Sequence, residues 1–164
     1  MRVPSTFDIN ELKALLAYQY HPKVVKILNH GDILIERSEK TGRVRFLYIN
    51  GKLVASIRAS DGFLLFSLEG AKLFLSLVPP PSMRVVIMPE VIPFIAEGRS
   101  VFSKHVLQAD EGIRSGDEVF VVTPDDELVA VGRAVLSGLE MEKMKRGVAV
   151  RTRKGINSLK RKTG

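Results

Sequence analysis

Three consecutive prolines, Pro79 to Pro81, stand near the middle of this chain, between Val78 and Ser82. Each ring locks φ and removes a backbone donor, so neither a helix nor an interior strand runs through the segment. A run of three favours stiff, extended polyproline geometry. The chain is therefore read as two domains, residues 1–78 and 83–155, followed by a basic, flexible tail over 156–164.

The first domain opens with helical signals. Asp8 and Glu11 make a D-x-x-E capping pattern, with Phe7 and Leu12 as a candidate hydrophobic staple. Ile9, Leu12, Leu15 and Leu16 then recur at helical spacing. His21-Pro22 ends or kinks this helix, and Val24–Leu28 reads as a further short helical turn. Strands are expected over Ile33–Glu36, Arg43–Ile49 and Lys52–Arg58, the last two joined through Asn50-Gly51, a signal for a tight type I′ hairpin. Asp61-Gly62 makes the next turn into Phe63–Ser67, and Glu69–Leu77 returns to helical spacing. Helix, small antiparallel sheet, helix is an α+β domain.

The second half has a different rhythm. Arg84–Met88 is a β-branched strand, and Val91–Glu97 a short helix closed by Gly98 as a left-handed cap. Ser100–Ser103 is a short strand. Glu118–Val122 and Glu127–Val135 flank the turn Thr123-Pro124-Asp125-Asp126. Ser137 and Glu140 form an S-x-x-E capping box for a helix ending near Arg146-Gly147, and Val148–Arg153 is the last strand. Short strands with two short helices point to a small closed or nearly closed barrel of about five or six strands.

Charge is distributed unevenly. The net charge is +7. Nine basic residues and no acid lie from Lys143 to Gly164, whereas the preceding residues hold 16 basic and 18 acidic groups. A positive field gathered at one end is the footprint of a polyanion-binding surface, although a solvated tail that only aids solubility has the same composition. Cysteine is absent, which removes disulfides, thiolate nucleophiles and Cys-ligated zinc. His21, His30 and His105 are far apart, and no metal or cofactor is expected. The N-terminal MRVPSTFDINEL lacks the apolar core of a signal peptide, and no apolar run reaches the ~18 residues of a membrane span. A cytoplasmic protein without a membrane partner is expected.

Several segments in order carry a resemblance: Gly98-Arg99-Ser100-Val101-Phe102-Ser103-Lys104, Arg114-Ser115-Gly116-Asp117-Glu118-Val119, Val131-Gly132-Arg133-Ala134 and Arg146-Gly147-Val148-Ala149-Val150. They resemble a PUA domain, in particular the one that ends archaeosine tRNA-guanine transglycosylase. In the first half, Tyr18-Gln19-Tyr20, Thr41-Gly42-Arg43-Val44-Arg45, Ser56–Gly62 and Ser67–Ala71 resemble the small domain preceding it there. The family has a glycine-rich stretch after Tyr20, where this chain has His21-Pro22-Lys23-Val24-Val25. The resemblance implies an α+β N-terminal domain followed by a mainly β PUA-type pseudo-barrel with short helices. It also implies archaeal-type tRNA modification as the setting. The transglycosylase's catalytic TIM barrel needs roughly 200 residues or more and has no room here, so a non-catalytic protein is expected.

The resemblance implies RNA contact by the first helix of the PUA domain, the glycine loop after it, the second strand and the last strand. On this chain these are Val91–Glu97, Gly98–Ser103 with Lys104, and Val148–Arg153. Gly98 lacks a Cβ, so its backbone admits close approach of a phosphate, and Arg99, Ser100 and Lys104 lie beside it. Arg151 and Arg153 are two apart and project from one face of a half-buried edge strand, with Val148 and Val150 on the other; Lys154 extends the patch. His105 is either a phosphate donor or base stacker, or an ordinary surface histidine. Phe102 is either a stacking ring or a core residue, and its strand pattern favours the core.

No Walker, H-E-x-x-H or G-x-S-x-G motif is present. Asp61 is a turn residue before a catalytic one, and Asp110, Glu111, Asp117 and Glu118 read as a solvated loop before a metal site. The expected function is a non-catalytic grip on structured RNA, a tRNA acceptor stem or 3′ end, beside a separate modification enzyme. Two alternatives stay open. One is a small RNA-modifying enzyme with an unrecognised site. The other is a protein-interaction or dimerisation module that uses an open sheet edge at the Arg43–Arg58 hairpin.

Overall fold

A computed structural model describes residues 1–158. The chain divides into two compact units, Met1–Val78 and Pro79–Gly164. The charges of the tail at Lys160, Arg161 and Lys162 lie outside the described residues.

In the first unit, α1 (Thr6–Gln19) leads through a 3₁₀ helix (Pro22–Asn29) into β1 (Ile33–Arg37), β2 (Val44–Ile49), β3 (Lys52–Ile57) and β4 (Leu64–Phe66), and then α2 (Leu68–Leu77). The four strands form one antiparallel sheet in the order β1-β2-β3-β4. Asn50 (φ 51°) and Gly51 (φ 80°) both take the positive φ of a type I′ turn. The helices cover one face, where Leu12, Leu16, Ile27, Ile35, Leu47, Leu64, Phe66 and Phe74 are buried. Tyr20 tilts against Phe66 with ring centroids 4.8 Å apart. Gly70 lies so close beneath the sheet that a Cβ would stand 2.0 Å from the Val54 carbonyl oxygen.

Two expectations for this unit are corrected. The N-cap of α1 is Ser5, not Asp8: the Ser5 hydroxyl accepts from the Asp8 N–H, and the Asp8 carboxylate accepts from the Ser5 N–H. The frame thus begins three residues earlier, and Phe7, 70% exposed, is no staple. Asp8 instead turns inward and pairs with Arg37 of β1. The second correction concerns the hairpin over Arg43–Arg58. Both of its strands are interior, and the sheet edges are β1 and β4, so it offers no open edge.

The Ser5 N–H, foremost, and the Arg37 guanidinium hold the Asp8 carboxyl below the usual carboxylate range, against the opposing effect of burial. A depressed folded-state pKa contributes stability that is present above the unfolded value and lost as pH falls through the folded one. Asp8→Asn is therefore expected to cost about 1.5–3 kcal/mol near neutrality, the range for hydrogen bonds to a charged group. In thermal melts, the gap between variant and parent should close below about pH 3.8. A gap of constant size down to strongly acidic pH would contradict this account.

In the second unit, the order is β5 (Arg84–Ile87), a 3₁₀ turn, α3 (Ile92–Ala96), β6 (Val101–Phe102), β7 (Val106–Ala109), β8 (Glu118–Val122), β9 (Leu128–Ala134), α4 (Gly138–Lys143) and β10 (Val148–Gly155). Six strands form one sheet in the order β6-β10-β9-β8-β5-β7, a nearly closed pseudo-barrel. β5 runs parallel to β8, and every other pair is antiparallel. Val85, Ile87, Val101, Val121, Val131 and Val150 fill its interior. Ser137 and Glu140 form the expected capping box of α4.

The strand β7 was not foreseen. Its burial alternation is interrupted, with Val106 and Ala109 buried and Leu107 and Gln108 exposed, because the β5–β7 register shifts between Val86 and Ile87. The last strand, β10, is not an edge. It runs between β6 and β9, which leaves the two-residue β6 at the margin.

Candidate nucleic-acid interface

The interface is built around β10 and its two neighbours. On one side, Phe102 of β6 lies opposite Val148, and Val101 opposite Val150. On the other, Arg151 lies opposite Arg133 of β9, and Thr152 opposite Gly132. A Cβ on Gly132 would stand 2.5 Å from the Arg151 carbonyl oxygen, so the glycine is what lets the two strands close here.

Between Thr152 and Lys154 the register shifts. This bulge re-aims the side chain of Arg153, as bulges commonly do. Its Nε and Nη2 donate to Glu118 Oε1 at 3.1 and 2.8 Å. Glu118 is buried, so the charge of Arg153 is paired, although Arg153 itself is exposed. Arg151 and Arg153 therefore differ in kind: both are exposed, but the Arg151 guanidinium has no hydrogen-bond or ion-pair partner among the described residues.

Arg133 was not singled out from sequence. It is exposed, in register with Arg151 on one side and Glu118 on the other, and without a hydrogen-bond or ion-pair partner among the described residues. Like charges directly opposite each other on a sheet are destabilising. The signal was available: Arg133 is the one charge in the otherwise apolar strand Leu128–Ala134.

The glycine loop follows α3. Gly98 has φ +112°, in the left-handed region, and its N–H donates to the Ile95 carbonyl at 2.9 Å. Arg99 is exposed, and its guanidinium lies 5.7 Å from the ring centroid of Phe94. Phe94 is half exposed and was not singled out from sequence. Ser100 is half-buried. Phe102 is 47% exposed, which corrects the expectation that it enters the core: Val101 takes the inward position and is fully buried. Lys104 is exposed on the 3₁₀ turn Ser103–His105. His105 is half-buried, and its carbonyl accepts from the Met88 N–H at 2.9 Å. Lys154 is half-buried beyond the bulge.

A contact between backbones holds the loop near the strand. Gly155 ends β10 beneath α3, where a Cβ would stand 2.2 Å from the Ala96 carbonyl oxygen. The Asn157 N–H donates to that same oxygen at 2.7 Å, and the Gly155 N–H donates to Ser158 Oγ at 2.8 Å.

The acidic residues have structural duties. Asp110 accepts from the N–H groups of Met83 and Gly112. Asp117 accepts from the Arg114 N–H. Asp61 pairs with Arg58 and accepts from the Phe63 N–H. No group of three or more potential metal-ligating side chains is found among the described residues. A cleft of about 270 Å³ is lined by Pro81, Arg84, Asp110, Thr123 and Asp126. Its one buried cation, Arg84, is clamped by Asp126 at 2.9 and 3.0 Å and by the Ser82 carbonyl. Among the described residues, no helix is long and apolar enough to cross a membrane.

Comparison with known proteins agrees with this architecture. Residues 83–156 match the PUA domain family. The second unit is a PUA domain. Residues 10–81 match the patch-forming domain C2 of tRNA-guanine transglycosylase. The whole chain is 42% identical over 149 residues to the tRNA-guanine(15) transglycosylase of Methanobrevibacter smithii, a match that covers 91% of this chain and 23% of the relative. The Pyrococcus abyssi tRNA-guanine(15) transglycosylase is likewise 42% identical, over 91% of this chain and 25% of its own length. The chain thus spans about a quarter of the length of these curated relatives. Its two units together resemble the C-terminal portion of archaeosine tRNA-guanine transglycosylase.

Solved structures share the fold. A hypothetical protein from Pyrococcus horikoshii superposes with a TM-score of 0.73 at 24% identity, covering 93% of this chain and 92% of that one. A conserved PUA domain protein from Thermoplasma acidophilum gives 0.70 at 21% identity, with 94% and 92% covered.

Proposed function

We propose that this protein grips structured RNA, a tRNA acceptor stem or 3′ end, and has no catalytic centre of its own, acting as an accessory to an RNA-modification enzyme. The observation that carries this reading is the pair Arg133–Arg151. Two exposed arginines without hydrogen-bond or ion-pair partners among the described residues lie in register on adjacent strands, in the unit that carries the left-handed Gly98 loop. A polyanion lying over the pair turns their mutual repulsion into shared attraction. Arg99, Lys104 and Lys154 extend the same sign of charge, and Phe102 offers a ring to an unpaired terminal base. Such contacts fix the position of an RNA without reading its sequence.

The lack of chemistry is supported by the carboxylates, which accept from backbone N–H groups or pair with arginines of the fold.

The test is an electromobility titration of the full chain against tRNA, duplex RNA and duplex DNA at several salt concentrations. The expected order is tRNA tightest and DNA weakest, with log K falling by about 0.7–0.9 per contacted phosphate for each log unit of salt. Equal affinity for DNA and tRNA, or affinity indifferent to salt, would sink the proposal.

A further inference from the structure

The first unit carries two turns of the same design. In Ser38–Arg43 the Ser38 N–H donates to the Arg43 carbonyl and the Gly42 N–H to the Ser38 carbonyl, each at 2.8 Å. In Arg58–Phe63 the Arg58 N–H donates to the Phe63 carbonyl and the Gly62 N–H to the Arg58 carbonyl, each again at 2.8 Å. Gly42 (φ 71°) and Gly62 (φ 74°) occupy equivalent left-handed positions. Thr41 Oγ1 and Asp61 Oδ1 accept from the N–H two residues on.

These turns join β1 to β2 and β3 to β4, so sheet order places both at the same end, opposite the Asn50-Gly51 turn. Space around both glycines is open: a Cβ on either would meet nothing within 4 Å. The turns also overlap the stretches Thr41–Arg45 and Arg58–Gly62, which the PUA-domain surface does not use.

A register shift between Glu36 and Arg37 bulges β2 at Arg45. The bulge re-aims that side chain, so its Nε donates to the Ile57 carbonyl at 3.1 Å and its guanidinium lies 5.7 Å from the Phe46 ring centroid. That carbonyl immediately precedes the second turn. Arg45 is thereby held at the turn end, with no other hydrogen-bond partner for the guanidinium among the described residues. Lys40 and Arg43 are exposed on the first turn, and their side chains have no partner there either. Three cations without an ion-pair partner among the described residues thus lie beside the turns, with Glu39 the one acid in the first of them. Arg58 is the contrasting case, since Asp61 takes its charge at 2.5 Å. Over residues 1–78 the sequence holds 11 basic and seven acidic groups, a net of +4.

We propose that this turn end is a second RNA-contacting site, in which Lys40, Arg43 and Arg45 bind the phosphodiester backbone of the same RNA that the PUA domain grips. The inference rests on the RNA-binding reading above and adds a second point of attachment on a separate domain. Two linked sites raise affinity through effective concentration without requiring either to be strong.

The experiment uses the full chain and a full-length tRNA transcript, comparing the parent with Lys40→Glu/Arg43→Glu, with Arg133→Gln/Arg151→Gln, and with a control of matched charge. The control is Lys23→Glu/Lys72→Glu, on the helical layer of the same unit, where both lysines are exposed. Loss of the site is expected to weaken binding by about ten-fold or more and to make the salt slope shallower by about 1.4–1.8, the value for two phosphates. The control should stay within about three-fold of the parent. Lys40 and Arg43 have no side-chain partners to lose, so melting temperature should not move. A turn variant that binds like the parent or like the control, while the PUA-surface variant loses affinity, overturns this inference and leaves the RNA-binding function standing. A parent chain that fails to bind tRNA overturns both.

Discussion

Arg133→Gln/Arg151→Gln is expected to bind tRNA at least about a hundred-fold more weakly than the parent, while melting at nearly the same temperature. The loss corresponds to two charge-assisted hydrogen bonds at about 1.5 kcal/mol each. The near-unchanged stability follows from geometry. Arg133 and Arg151 are in register across β9 and β10, and neither has a hydrogen-bond or ion-pair partner to lose among the described residues. Glu118 of β8 is in register with Arg133 on its other side, so the repulsion of about 0.2–1 kcal/mol removed between the arginines is offset by a lost attraction.

Arg153→Gln should behave in the opposite way. It strips the buried Glu118 of a guanidinium that donates twice to Oε1, so it lowers stability by about 1–3 kcal/mol and affects binding less. Titration and thermal melting of the two variants side by side check this crossing of effects. If the Arg133/Arg151 double variant binds like the parent, the RNA does not lie on β9 and β10.

Gly155→Ala is the second large effect, and it tests how the Gly98 loop is positioned. The added Cβ would stand 2.2 Å from the Ala96 carbonyl oxygen and 2.7 Å from that of Ile95. Both are backbone atoms at the end of α3, so no flexible side chain yields to make room. Overpacking of this kind costs about 1–3 kcal/mol, and the upper half of that range corresponds to a fall of roughly 10–20 °C for a unit of this size.

Relief comes from displacing α3, which carries Phe94 and leads into Gly98. RNA affinity should therefore drop even well below the new melting temperature, where the barrel is intact. The contrasting variant is Gly70→Ala in the first unit, which clashes with the Val54 carbonyl oxygen at 2.0 Å. It should destabilise that unit while sparing the PUA surface. A Gly155→Ala protein that is destabilised yet keeps full affinity at low temperature would show that the α3 end does not position the interface.

Features set by neighbours a few residues apart were legible in the chain. The Asn50-Gly51 turn, the Ser137–Glu140 capping box and the left-handed Gly98 each follow from local chemistry, in which one missing Cβ or one hydroxyl decides the backbone. So did the order of the strands along the second unit, apart from β7, whose alternation a register shift interrupts. Even at short range a competing cap misled: Ser5 and Asp8 are both good capping residues three apart, and the helix starts at the first.

The charge asymmetry and the PUA resemblance pointed to the second half of the chain. They did not distinguish Arg151 from Arg153, because two residues of the same type at alternate positions look equivalent until a bulge intervenes.

What only the tertiary structure decided is the pairing across strands. Glu118 lies 35 residues from Arg153, and Arg133 faces Arg151 across β9 and β10. Neither relation leaves a local trace, because strand register is set by how distant apolar faces meet in the core and by where bulges fall. The sequence determined that this protein has a basic, glycine-marked surface on a PUA barrel. The fold decided which of its arginines is paired and which are not, because burial of Glu118 demands one counter-charge and the bulge at Arg153 is where the chain supplies it.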